Sequence, residues 1–526
     1  MNRDNDESHI RQFFDGSNIF ITGGTGFLGK ILISKLLTSC TGIKKIYLLV
    51  RHKKNKSVET RVDEIFDDPV FETLKRTSVK YSSRIKGIYG DCLQPGLGLS
   101  LNDRKMLTDC VHIVFHMAAT VRFDEKLKTA IKINVDAAFD VINLCKEMKN
   151  LKSVVHISTA YTHCPRKTIE EKLYQTLSDA KSLMLMAECI PEKLLEHVTS
   201  KLLGQWPNTY TFTKAVAEDV IRISSDRLPV GVFRPGIVIS TYQDPVCGWI
   251  DNFYGPTGAI AGAGTGVLRT LRCNPKAIAN MVPVDLCVNS MIAASWDIYE
   301  RQKDGLPKMT AIYYNTIKLV ELSVGPIKTT GNIPVYNFCT TSDNQLTWGE
   351  FTTKTAKYGL MYPSLKAIWY LCYSNTTNKA VHMLSICFLH YLPALVFDIL
   401  CLCFGKKPRL LNTYKKVHKF MNVIAYFSLR DWDFKIDNVQ NLWSRMTNFD
   451  RHTFFFDMNQ LDWDFFLQQY FRGIRQYLLN DPLDTIPEAM VRWNRLYWLH
   501  QSLKVTILII TLYILCAFFM NLSKAI

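Results

Sequence analysis

Residues Asn18 to Lys30 read NIFITGGTGFLGK: a short apolar strand, a loop with Gly23, Gly26 and Gly29 three residues apart, then the start of a helix. Small residues at these positions let the backbone turn tightly, approach a pyrophosphate closely and pack the helix on the strand. The phosphates of a dinucleotide would rest on the helix N-terminus, where free N–H groups and the helix dipole favour negative charge. Three-residue glycine spacing alone is weak evidence. Strand, loop and helix in this order make it a dinucleotide-binding turn.

The next strand bears on which dinucleotide. Lys45 to Val50, KIYLLV, is a buried-strand run about 20 residues beyond the glycine loop, where such folds place the residue that reads the adenosine ribose. An acidic residue there would bond a ribose 2′-hydroxyl. This chain has Arg51 instead, followed by His52, Lys53, Lys54 and Lys56. A guanidinium suits a 2′-phosphate by shape and charge, so NADPH is the expected cofactor. Gly90-Asp91 closes a further strand; Asp91 suits either the adenine edge or an ordinary turn.

Tyr210-Thr211-Phe212-Thr213-Lys214 carries the chemistry. Residues four apart share a helix face, so the phenol and the ammonium point into one site. An adjacent ammonium is expected to lower the phenol pKa and make it a proton donor near neutrality. Upstream, the strand from Lys152 to Ile157 ends in Ser158-Thr159. A hydroxyl at that strand end can bond the same substrate oxygen as Tyr210, with Thr159 the first choice and Ser158 the second.

With these residues in hand, the chain resembles the alcohol-forming fatty acyl-CoA reductases of the extended short-chain dehydrogenase/reductase superfamily. TGGTGFLG (Thr22 to Gly29), FHMAATVRFDE (Phe115 to Glu125), INVDA (Ile133 to Ala137), HISTAY (His156 to Tyr161), YTFTK, FRPGIV (Phe233 to Val238), the stretch from Gly248 to Gly266 and VPVD (Val282 to Asp285) fall in the family's order. The resemblance implies a Rossmann-like, doubly wound parallel sheet of α/β class binding NADPH. It lines the cofactor with Thr22, Gly23, Gly26, Phe27, Leu28, Gly29, Arg51, Asp91, Ala118 and Lys214, and makes Tyr210 and Lys214 the catalytic pair. It also implies a long-chain acyl-CoA substrate, which nothing in composition or spacing indicates. One departure is Gly236, where the family more often has Ser.

At 526 residues the chain is too long for one ordinary core. The expected organisation is a polar tail over 1–13, a reductase domain over 14–350, a helical domain over 351–482, and a linker with membrane anchor over 483–526. The segment from Arg166 to Trp206 is an insertion, helical in pattern. Fifteen cysteines without paired spacing and a hydrophilic start point to a reducing compartment. Cys401 and Cys403 lie in an apolar run without a histidine cluster and are read as core packing rather than a metal site. The net charge of +16 comes without any base-stacking, zinc or helix-turn-helix signature, which argues against nucleic acid. The basic run from Lys406 to Lys419, free of acids, suits anionic lipid headgroups or coenzyme A. Asn55-Lys56-Ser57 and Asn375-Thr376-Thr377 match the glycosylation sequon and would stay unmodified on a cytosolic domain.

Val505 to Ser523 carries no charge and is long enough to cross a hydrocarbon core. Trp493, Tyr497 and Trp498 precede it, with Arg492, Arg495 and Lys504 on the same side. A single-pass tail anchor with the catalytic part in the cytosol is expected, on the endoplasmic reticulum or the peroxisome. A second apolar stretch, Ala380 to Phe404, is interrupted by His382, His390, Pro393 and Asp398. It suits a helical domain that packs on the reductase and dips into the membrane surface better than a second span. Self-association stays open. So do two neighbouring readings: a sterol or sugar-nucleotide dehydrogenase, and a membrane scaffold without turnover.

Overall fold

The computed structural model describes residues 7–52, 56–76, 81–176, 179–305 and 333–525. Lys53, Lys54, Asn55 and the first six residues of the expected tail lie outside them. The chain divides into two compact units that interleave along the sequence. The first gathers the residues up to Cys247, Ile278–Leu346 and Asp431–Leu461; the second gathers Gly248–Ala277, Thr347–Arg430 and the residues from Asp462 on.

The first unit is built on a seven-stranded sheet. Its strands are β1 (Asn18–Thr22), β2 (Lys45–Val50), β3 (Ile85–Tyr89), β4 (Ile113–His116), β5 (Ser153–Ile157), β6 (Val230–Pro235) and β7 (Val335–Phe338). All pair in parallel, in the order β7-β6-β5-β4-β1-β2-β3. Six of the strands are buried along almost their whole length, as a sheet covered on both faces requires. Strand order reverses between β1 and β4, and a doubly wound sheet binds ligands in the crevice at that point.

Seven helices of this unit matter here: α1 (His9–Phe14), α2 (Phe27–Ser39), α3 (Ala137–Lys146), α4 (Ala180–Cys189), α5 (Glu192–Leu203), α6 (Thr209–Ser224) and α7 (Val284–Gly305). Phe20, Val114, Val154 and Val232 from the strands pack with Val141 and Ile142 of α3 and Ile221 of α6. The hydrophilic opening of the chain conceals α1. Ile10, Phe13 and Phe14 share one face and are buried, and the Asp450 carboxylate accepts from the Ser8 hydroxyl and the His9 amide at 2.5 and 3.1 Å. The insertion supplies α4 and α5, whose Leu183, Ala187 and Leu195 bury against Phe212, Val216 and Val220 on the outer side of α6.

The second unit is mainly helical: α8 (Trp348–Met361), α9 (Lys379–Cys403), α10 (Leu410–Ser428), α11 (Trp463–Gly473) and α12 (Ile486–Ala525). Thr347 and Glu350 start α8 with a reciprocal capping box. Among the described residues, two helices are apolar and long enough to cross a membrane, Lys379–Cys403 and Leu483–Asn521. In the latter, the run from Val505 to Met520 is exposed at nearly every residue. Cys401 and Cys403 lie on α9; Cys401 is half-buried and Cys403 is exposed, so the expected core packing does not hold for Cys403.

Candidate active site

The glycine loop fills the switch point. Gly23 follows β1 directly with φ +76, a left-handed conformation that side chains strain to adopt. A Cβ on Gly23 would stand 2.8 Å from the Ala118 amide nitrogen and 2.9 Å from the Met117 carbonyl carbon, just beyond β4. At Gly29, in the first turn of α2, a Cβ would come within 2.5 Å of the Gly23 carbonyl oxygen. Gly26 is the N-cap of α2 and is exposed, with no side chain capping the helix. A narrow cradle therefore ends on a helix N-terminus without a side-chain cap, as a pyrophosphate site requires.

Phe27 and Leu28, half-buried, open α2, and Ala118 borders Gly23. Thr22 is fully buried; its hydroxyl pairs with His116 Nδ1 at 2.7 Å and accepts the Ala118 amide at 3.2 Å. Its hydroxyl thereby ties the end of β1 to β4 beneath the loop. Asp91 makes a turn, its carboxylate accepting the Leu93 amide at 3.0 Å. At the end of β2, Arg51 is exposed and its carbonyl accepts from Arg61 Nη1 at 2.5 Å. Burial first and Arg51 second depress the Arg61 pKa, so two guanidinium groups crowd one place. Lys56, by contrast, is spent on an ion pair with Glu64.

Around the strand end after β5, neighbouring side chains point opposite ways. The Thr159 hydroxyl accepts the Tyr161 amide at 3.3 Å and is close enough to the Tyr210 phenol to lower its pKa. The Ser158 hydroxyl turns inward and donates to Glu218 Oε1 at 2.5 Å. Asn208 starts α6 by accepting the Thr211 amide at 2.9 Å, which sets Tyr210 and Lys214 in successive turns. Lys214 Nζ donates to the Ile157 carbonyl, the last of β5, at 2.7 Å. Thr159, Tyr210 and Lys214 thus converge, and Ser158 belongs to a different cluster.

That cluster is fully buried. Arg234 of β6 forks onto Glu218, Nε to Oε1 at 2.8 Å and Nη2 to Oε2 at 2.5 Å, while His163 Nε2 lies 3.2 Å from Oε2. Burial would push the Glu218 carboxyl up, yet Arg234 and His163 hold it well below the usual range. Glu218 was not among the expected site residues, although Tyr210, Lys214 and Glu218 stand four apart on one helix face. The pKa order also differs from expectation. Burial pushes the Tyr210 phenol up to about 12 and only Thr159 pulls it down, while burial brings Lys214 down to about 8 against an opposing pull from Glu218. The ammonium is directed at the Ile157 carbonyl and leaves the phenol a firmly protonated donor at neutral pH.

The departure at Gly236 has a steric cause. A Cβ there would stand 2.6 Å from the Asn280 carbonyl oxygen, which leaves no room for serine without a backbone shift.

Two family models match the chain, both described as male sterility protein: an NAD-binding model over residues 21–291 and a second over residues 389–481. Fatty acyl-CoA reductase wat of Drosophila melanogaster is 42% identical over 498 residues, covering 94% of this chain and 91% of that protein. Fatty acyl-CoA reductase 1 of Mus musculus is 36% identical over 487 residues, covering 93% and 89%. Among solved structures, the reductase domain of a nonribosomal peptide synthetase from Mycobacterium tuberculosis aligns with a TM-score of 0.54 at 15% identity, over 91% of this chain and 96% of that one. The terminal R domain of the myxalamid PKS-NRPS pathway aligns with a TM-score of 0.53 at 16% identity, over 88% and 90%. Those two likenesses concern the fold alone. With relatives of this identity over nearly its whole length, and with a glycine cradle that fits a nicotinamide dinucleotide, the chain belongs to the fatty acyl-CoA reductase family of the extended short-chain dehydrogenase/reductases and is an oxidoreductase.

Proposed function

We propose that the protein reduces long-chain fatty acyl-CoA to the fatty alcohol with two equivalents of NADPH, releasing coenzyme A. The observation that carries this reading is the meeting of Thr159 and Tyr210 at the carboxyl edge of the sheet that also bears the glycine cradle, with Lys214 one turn further along α6 and bonded to the Ile157 carbonyl at 2.7 Å. Gly23, Gly26, Phe27, Leu28, Gly29 and Ala118 hold the dinucleotide, Arg51 with Arg61 takes the 2′-phosphate, and Asp91 stands at the adenine side. When bound, NADPH supplies one hydride at each of two stages.

In the first stage Thr159 and Tyr210 donate hydrogen bonds to the thioester oxygen as it gains negative charge, an electrostatic role that a preorganised, partly buried site strengthens. The hemithioacetal collapses to an aldehyde and frees coenzyme A. In the second stage the Tyr210 phenol gives its proton to the nascent alkoxide. Lys214, anchored on the Ile157 carbonyl, keeps a positive charge next to the cofactor ribose. Ser158 supports this set through Glu218 and does not touch substrate.

The apolar run over 505–523 anchors the chain as a single-pass tail, with the first unit in the cytosol at the endoplasmic reticulum or the peroxisome. A membrane-held site suits an acyl chain whose every methylene favours burial by about 0.8 kcal/mol. The test is stoichiometry: purified full chain given a long-chain acyl-CoA should consume two NADPH for each coenzyme A released. A ratio of one with free aldehyde in the medium would replace the alcohol-forming reading by an aldehyde-releasing one.

A further inference from the structure

Helix α9 looks from composition like a second membrane span, but its polar residues are stitched to the rest of its own unit along its whole length. Near its start His382 Nδ1 meets the Thr270 hydroxyl at 3.3 Å. At its middle His390 accepts the Arg269 amide at 2.9 Å and lies 3.1 Å from His418 Nε2 of α10. Pro393 has no N–H for the Leu389 carbonyl one turn back, and Arg269 Nη1 takes that carbonyl at 3.0 Å. Near its end the Asp398 carboxylate accepts the Arg409, Leu410 and Leu411 amides at 3.0, 3.0 and 2.9 Å, capping the first turn of α10. His382, Ile386, His390, Ala394 and Asp398 form the single buried stripe. The opposite face carries Leu384, Phe388, Leu392, Leu395, Phe397 and Leu400, each at least 46% exposed.

The neighbouring helix decides what that face meets. His418 fixes α10 at the midpoint of α9, and Lys415, Lys416 and Lys419 lie within about 5 Å of His418 along the helix axis. All three are exposed. Were α9 to cross a bilayer, these ammonium groups would sit near the middle of a hydrocarbon layer about 30 Å thick, far from water. No Asp or Glu occurs between Ile399 and Arg430, while Lys406, Lys407 and Arg409 are exposed in the turn that joins the two helices.

We propose that α9 lies in the plane of the membrane, its apolar face among the acyl chains of one leaflet, with the basic residues from Lys406 to Lys419 on the phosphates of anionic lipids. The face is a second attachment, on the same side of the bilayer as the first unit and separate from the C-terminal span. An apolar stripe and a basic cluster together give the two signals that stable interfacial binding needs. The inference stands on membrane association and is independent of the chemistry proposed for the active site.

The test uses the full chain in vesicles, with a fluorescent amino acid at position 395 and, separately, at position 512 of the C-terminal span as an insertion control. In vesicles holding one third phosphatidylserine, the probe at 395 should be quenched more strongly by nitroxides near the headgroup than by nitroxides at the chain end. The quenching should fall at least threefold in pure phosphatidylcholine, or on K415E/K416E/K419E, while quenching at 512 stays unchanged. A protease site inserted after Gly405 should be cut in sealed vesicles without detergent. Deep quenching at 395 with a protected site would make α9 a span and overturn the proposal. With 512 quenched, no quenching at 395 would overturn it too, and cross-linking between copies through 395 would assign the face to a second copy of the chain.

Discussion

The turn after β1 and the strand end after β5 lie at the carboxyl edge of the same sheet, but one is made of backbone and the other of side chains. In the turn, the decisive groups are absent side chains: a Cβ on Gly23 or Gly29 would strike backbone atoms at 2.8 or 2.5 Å. At the strand end, the hydroxyl of Thr159 and the hydroxyl of Ser158 face opposite ways, and their surroundings decide what each can do. At Gly29 the exclusion acts within the turn itself, and at Gly23 it comes from Met117 and Ala118 beyond β4, far away in sequence. Burial and charge act between residues far apart in it, as when Arg234 sets the state of Glu218.

If that contrast is sound, single side chains at the strand end carry rate while single atoms in the turn carry affinity. The largest effect is expected at Tyr210. Tyr210→Phe removes the proton donor and should lower kcat by about 10²–10⁴-fold with little change in NADPH affinity. Fluorescence titration of the cofactor beside steady-state rates checks this; a matching loss of affinity would mean that the phenol holds the cofactor rather than the reacting oxygen.

The next comparison sets two adjacent hydroxyls against each other. Thr159→Ala removes one donor to the developing oxyanion and should cost about 10²–10³-fold in kcat with unfolding unchanged within about 1 kcal/mol. Ser158→Ala leaves a lone pair of the buried Glu218 carboxylate unmet and should instead cost about 1–3 kcal/mol of stability. Parallel rate and urea-unfolding measurements separate the two, and an exchange of these outcomes would reverse the assignment of the strand end.

On the backbone side, Gly29→Ala drives a Cβ into the Gly23 carbonyl at 2.5 Å, an overpacking of about 1–3 kcal/mol. Because the loop must move to relieve it, the dissociation constant for NADPH should rise about 10- to 100-fold while kcat at saturating cofactor changes less than threefold. A variant that binds NADPH normally would show that the loop yields without leaving its place.

The same division separates what is legible in the sequence from what is not. The glycine cradle, the parallel sheet and the shared α6 face of Tyr210 and Lys214 all rest on local spacing or on strand patterning. The buried cluster does not. Glu218 shares a face with Lys214, a visible signal, but its partner Arg234 lies on β6, sixteen residues further on, and only the fold brings them together. The phenol pKa moved opposite to expectation because spacing says that an ammonium is near and nothing about burial or the carbonyl that occupies it. Helix α1 was hidden because three apolar residues among polar ones do not alter a composition, though their spacing marks one face. Cys403 illustrates the converse: apolar neighbours suggested a core, and the helix presents them outward.

Two histidines tie both regions to one pH window. His116 on β4 and His156 on β5 are in register, with ring centroids 5.2 Å apart. His116 supports the glycine loop through Thr22, and His156 lies two residues before Ser158. Burial, with the nearby Lys214 charge adding to it, lowers His116 to about 3 and His156 well below its ordinary value. Both are therefore neutral in the fold and take up protons on unfolding below about pH 6.5. A folded pKa below the unfolded one means that the stability is fully present above pH 6.5 and is lost as pH falls toward 3. Each histidine steepens that loss by about 1.4 kcal/mol per pH unit. Asp136 and Glu171, raised to about 6 and about 7 by burial, pull the other way, so the total slope mixes opposing groups. The difference between variants isolates one histidine. His116→Asn keeps a polar group within reach of Thr22 and removes one titrating site, so between pH 6.5 and 5 its stability should fall about 1.4 kcal/mol per pH unit less steeply than that of the unmutated chain. Urea unfolding at pH 6.5, 6.0, 5.5 and 5.0 measures it, and parallel slopes would mean that His116 is charged in the fold and that the ground beneath the two regions is wetter than its burial indicates.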